Sequence, residues 1–100
     1  WAALTLALRG AGFVLLNRYV VHAENPVSVH IHNMKALLHD AILVLAPAGV
    51  GAAVAWERPC CINQDDSEAF TQDCATLLGW LLAGDLPDEA VQGVWREALA

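Results

Sequence analysis

Residues 25–46 read NPVSVHIHNMKALLHDAILVLA, and the spacing of their apolar side chains sets the fold class expected of the chain. Behind Asn25 and Pro26, residues Val27, Ile31, Met34, Leu38, Ala41, Ile42 and Leu45 recur at steps of three and four, the period of one face of an α-helix. At about 100° per residue, Val29, Ala36 and Leu43 form a second stripe on the opposite side, with Leu37 and Val44 alongside. The spacing predicts a helix that starts with Asn25 as N-cap and Pro26 at the first helical position, and runs to about Ala46, where Pro47 bars continuation. A helix apolar on two sides needs cover on two sides, from the rest of the chain or from a partner.

On the N-terminal side, residues 1–23 are rich in Ala and Leu, and Leu4, Leu8, Ala11, Leu15, Tyr19 and His22 fall at helical spacing. Helix is expected over most of this segment. A competing pattern runs through it: Leu4, Leu6 and Leu8 alternate, and residues 9–12, with two glycines, suit a hairpin turn into residues 13–16. On the other side, Val50, Val54 and Trp56 suggest a short helix that ends before Pro59, followed by a polar loop over residues 58–66. Asp65 with Glu68 three residues on has the form of a capping box, Phe70, Cys74, Leu77, Leu78 and Leu81 share one face, and Gly84 is a stop. Leu86 and Pro87 then lead into a last helix with Val91, Val94, Trp95 and Ala98 inward and Asp88 and Glu89 in its first turn. Together these elements predict an all-α fold, a small bundle of four or five helices forming a single domain over residues 1–100.

The chain has 100 residues, of which 57% are apolar and only 16% charged. So few charges cover the surface of a small monomer poorly, which favours a homodimer or a complex. The net charge of −6 is lopsided: residues 1–50 sum to +1 and residues 51–100 to −7. An acidic surface repels phosphate backbones, so no direct nucleic-acid partner is expected. The uncharged run of sixteen residues, 41–56, is shorter than a membrane span and contains Pro47, Gly49 and Gly51, so membrane insertion is not expected. Three cysteines without framework spacing point to the reducing cytoplasm.

Candidate chemistry is sparse. His22, His30, His32 and His39 lie within eighteen residues, and imidazole is a common metal ligand. On a helix, however, His32 and His39 are about 10 Å apart along the axis and His30 lies on the other flank, so no ion is enclosed. Cys60, Cys61 and Cys74 carry the right donors for zinc, but adjacent cysteines do not readily converge on one ion, and Cys74 falls on the core face of its helix. The acidic run Asp65, Asp66, Glu68 and Asp73 lacks the alternating ligands and central glycine of a calcium loop. No catalytic, cofactor or metal residue is assigned, and no enzyme is expected.

The expected function is that of a cytoplasmic protein-interaction module, an occluding regulator whose contact residues are Val29, Ala36, Leu37, Leu43 and Val44. Its partner would be another protein, such as a transcription regulator, met alongside self-association. The alternative is a metal- or ligand-binding helical bundle using His30, His32, His39 and Cys60. In size, acidity and apolar helical character, taken over the whole chain, the sequence resembles the small bacterial antiactivators that sequester LuxR-type quorum-sensing regulators. That resemblance implies a regulatory, partner-binding role and assigns no individual residue.

Overall fold

Gly12 sets the first departure from a helical bundle. In a computed structural model, which describes residues 1–22, 39–49 and 54–99, helix α1 (Ala2–Ala11) stops at Gly12. Gly12 has φ 81° and ψ 33°, the left-handed conformation that glycine adopts without a side-chain penalty, and its N–H donates to the Arg9 carbonyl. The chain leaves this cap fully extended as strand β1 (Phe13–His22), where Phe13, Val14, Tyr19, Val20 and Val21 supply β-branched and aromatic side chains. Of the two glycines of residues 9–12, Gly10 lies within α1 and Gly12 ends it, so they do not turn a hairpin, although residues 13–16 are extended.

Strand β2 (His39–Pro47) pairs antiparallel with β1, from Phe13 opposite Pro47 to His22 opposite His39. This corrects the all-α expectation: three helices and a two-stranded sheet make up the described residues, and neither a four- nor a five-helix bundle is present among them. Residues 39–46 are strand where the 25–46 reading placed helix. The physical reason lies in the pattern itself, because an unbroken apolar run suits a buried helix end and a strand with two apolar faces equally well. Ile42 and Val44 lie on one face of β2, and Leu43 and Leu45 on the other. Residues 27–38 of the same reading, including Val29, Ala36 and Leu37, lie outside the described residues, as does Val50 of the short helix proposed before Pro59. From Val54 to Pro59 the chain is not helical.

Helices α2 (Ser67–Ala83) and α3 (Asp88–Ala98) follow the periodicity of the sequence. The start of α2 is displaced by one residue from the expected box: Asp66 is the N-cap, its carboxylate accepting from the Ala69 N–H at 2.9 Å. Asp65 is instead held by its own N–H, which donates to the Asn63 side-chain oxygen at 2.9 Å. Gly84 ends α2, with extended rather than left-handed geometry.

The helix buried on two sides is α2. The hairpin packs on one side of it and α1 on another, and α1 in turn meets α3. Leu15, Ile62, Cys74, Leu77, Leu78, Leu81, Leu82, Val91 and Trp95 form the common core. Gly79 fixes the approach of hairpin to helix: a Cβ there would stand 2.8 Å from both Leu15 Cδ2 and Trp56 Cδ1. Trp56 also donates from Nε1 to the Leu15 carbonyl at 2.9 Å, and the Arg18 guanidinium lies 5.1 Å from the Trp56 ring centroid. At the other end of the core, buried Thr5 accepts from Trp95 Nε1 at 3.0 Å and donates to the Trp1 carbonyl at 2.7 Å, while the Trp1 and Trp95 rings stack 5.6 Å apart.

Gly79→Ala gains helix propensity of about 1 kcal/mol but overpacks a closed contact, which costs about 1–3 kcal/mol. Because the alanine methyl would press on both the fully buried Leu15 and the Trp56 ring, overpacking is expected to win, and urea unfolding to show a lower midpoint for the alanine variant. An unchanged or higher midpoint would contradict the close approach. Thr5→Val is expected to destabilise by about 1–3 kcal/mol in the same assay, because the buried Trp95 N–H loses its acceptor.

Candidate functional site

The hairpin has one covered face and one open face. Leu15 opposite Leu45, Arg18 opposite Leu43, and Val20 opposite Ala41 face α2, while Val14 opposite Ala46, Asn17 opposite Val44, Tyr19 opposite Ile42, and Val21 opposite Asp40 face away. A bulge between Leu15 and Asn17 inserts Leu16 as an extra residue. Without it, the alternation would turn Arg18 outward and Tyr19 into the core. Arg18 instead reaches α2, donating from Nε to Thr76 Oγ1 at 3.0 Å.

On the open face, Tyr19 is 54% exposed, Ile42 51%, Val21 39% and Val44 38%. Asp40 is the only charged residue in these four outward pairs. Asn17 bonds at both ends: its side-chain oxygen accepts from the Arg18 N–H at 2.8 Å and its amide donates to the Tyr19 hydroxyl at 3.1 Å. This bond spans two residues on one strand face and holds the Tyr19 ring along the sheet, so part of the side-chain ordering cost of a contact is already met.

Of the five contact residues read from the sequence, the two that are described, Leu43 and Val44, lie on a strand and point to opposite faces. Leu43 packs against the core, Val44 is on the open face, and Val29, Ala36 and Leu37 lie outside the described residues. Sequence reasoning missed Tyr19, Val21 and Ile42 as surface. The available signal was the density of β-branched and aromatic residues in 13–21, which favours a strand.

Of the histidines, His22 and His39 meet edge to face with ring centroids 5.3 Å apart, and His39 Nδ1 shares a hydrogen bond with Ser67 Oγ at 3.0 Å. His30 and His32 lie outside the described residues. Among the described residues no three of His, Cys, Asp and Glu are grouped as a metal ion requires. No helix of the described residues is long and apolar enough to cross a membrane.

The three thiols are free and differ in setting. Cys74 is fully buried, and burial, reinforced by the neighbouring Asp73 charge and partly offset by the amino terminus, pushes it up to about 12 from an ordinary 9.0. Cys60 and Cys61 are exposed, with Sγ atoms 3.8 Å apart. The hydrogen bond from Cys60, with its charge, pushes the Cys61 thiol up. Both line a cavity of about 300 Å³ together with Arg58, Ile62, Leu77 and Glu97.

The raised Cys74 value makes stability pH-dependent. The unfolded chain releases this proton near 9.0 while the folded chain keeps it to about 12, so this contribution is complete below pH 9 and is lost as pH rises across that window. Cys74→Ala is expected to flatten the fall in stability between pH 9 and 12 relative to the parent chain. Parallel profiles in urea unfolding at stepped pH would contradict the assignment.

No protein-family model, no curated protein and no solved structure matches this chain.

Proposed function

We propose that the protein is a non-enzymatic protein-interaction module that pairs with a second copy of itself through the open face of its hairpin. The observation that carries this reading is the exposed Tyr19–Ile42 pair, flanked by Val21 and Val44, on a face with one charge in a chain of net charge −6. An apolar strand face stacks on another at about 10 Å. A twofold axis that crosses the strands at the Tyr19–Ile42 pair sets the Val21–Asp40 pair of one copy over the Asn17–Val44 pair of the other, so like charges stay apart. Four pairs are fewer than the about 20–30 residues a side of a standard interface, so the association is reversible and responds to concentration.

Occlusion of a different protein, such as a transcription regulator, is the regulatory form of the same reading: a partner that needs an apolar face for its own dimerisation would take the place of the second copy. Its support is the acidity and apolar character of the chain; the helical part of the antiactivator likeness is removed by the hairpin. The compartment that suits three free cysteines is the reducing cytoplasm.

Sedimentation over a dilution series tests the pairing. The parent chain is expected to shift from dimer to monomer on dilution, and Ile42→Lys to remain a monomer throughout with unchanged helix and strand content by circular dichroism. A parent chain that is monomeric at every concentration, or a lysine variant that still dimerises, would overturn the proposal.

A further inference from the structure

The loop that carries Cys60 and Cys61 is pinned on both sides. Before them, the Arg58 guanidinium lies 5.1 Å from the Trp80 ring centroid on α2. After them, Ile62 is buried in the core, and the Asn63 N–H donates to the Asp73 carboxylate at 3.0 Å. The Asn63 side-chain oxygen then accepts from the N–H groups of Asp65 and Asp66. Between these pins both thiols are exposed, and their sulfurs are 3.8 Å apart on one cavity wall.

That separation discriminates between two fates of a thiol pair. A disulfide needs about 2.0 Å between sulfurs and usually a Cα separation of about 4.4–6.8 Å, whereas adjacent Cα atoms are held at about 3.8 Å by a trans peptide. Ring closure is therefore opposed by the backbone. Two sulfurs bound at about 2.3 Å to one centre stand about 3.8 Å apart at a tetrahedral angle and about 3.4 Å apart at the narrower angle of a pyramidal trivalent centre, so a small side-chain rotation brings the pair to a chelating separation while a bonded one stays out of reach. Zinc would require further protein donors, and none is grouped here among the described residues. A soft centre that takes only two protein ligands has no such requirement.

We propose that Cys60 and Cys61 form a two-thiolate chelating site for a soft, thiophilic centre with two open positions, the class represented by a monosubstituted trivalent arsenical. The organic substituent occupies the adjoining cavity, of about 300 Å³, whose mixed lining sets Pro59 and Ala98 beside Arg58, Gln64 and Glu97. Two arsenic–oxygen bonds break and two arsenic–sulfur bonds form. Each thiol proton leaves with a hydroxide as water, and arsenic stays trivalent, so no oxidant or reductant is needed.

The test uses the full chain and hydrated phenylarsine oxide, followed by intact mass and thermal unfolding. One adduct per chain, reversed by ethanedithiol and accompanied by a rise in Tm, is expected, because a ligand that prefers the folded loop stabilises the fold. Cys60→Ser and Cys61→Ser alter only exposed side chains, and each is expected to lose the adduct and the rise in Tm. An adduct that survives in either serine variant would overturn the site. So would an adduct that leaves Tm unchanged, since it would show that the fold contributes nothing to holding the pair.

Discussion

The approach of β1 to α2 at Gly79 is the constraint on which the rest of the structure depends. With no side chain at that point, Leu15 drops fully into the core and the Trp56 indole closes over the same spot, its N–H on the Leu15 carbonyl. A two-stranded sheet has little stability of its own in water. Seated on α2, its inward face joins Leu77, Leu78 and Leu81 in one cluster, and the bulge at Leu16 keeps the inward and outward sets in phase beyond the contact. The same contact leaves the outward set without cover among the described residues.

The helices that close the fold were legible because their signals are local. In α2 and α3 the apolar spacing, the acidic first turns and the Gly84 stop all agree, and an error of one residue at the α2 cap arises from Asn63, which takes the backbone N–H groups of both Asp65 and Asp66. The hairpin was hidden for a different reason. Leu4, Leu8, Ala11 and Leu15 continue a helical step straight through Gly12, and only the left-handed φ at that glycine breaks it. In residues 41–46 every side chain is apolar, so no polar position marks a period. What the sequence presents as two stripes of one helix is, over residues 39–46, the two faces of one strand. Of those two faces only one is covered among the described residues, and the helix buried on two sides is α2.

The candidate sites were less legible still, because each depends on side chains brought together by the fold or by a pinned loop. Tyr19 and Ile42 are separated by twenty-two positions and become opposite neighbours only through strand pairing. Cys60 and Cys61 are adjacent in sequence, which argues against convergence, yet the pins at Arg58, Ile62 and Asn63 hold a loop in which the two sulfurs lie on one side. The two sites are independent: one is an apolar strand face and the other a polar loop beside α3. An acidic chain with few charges to spare thus keeps its open strand face nearly uncharged, which fits a contact with apolar protein surface better than one with a phosphate backbone.

The most direct measurement is an isotope-filtered nuclear Overhauser experiment on an equal mixture of labelled and unlabelled chains. Contacts between copies are expected from the Tyr19 ring to the Ile42 and Val44 methyl groups, alongside cross-strand contacts between Tyr19 and Ile42 within each copy. Contacts between copies that arise only from α1, α2 or α3, or residues 39–46 showing the sequential pattern of a helix, would contradict this arrangement.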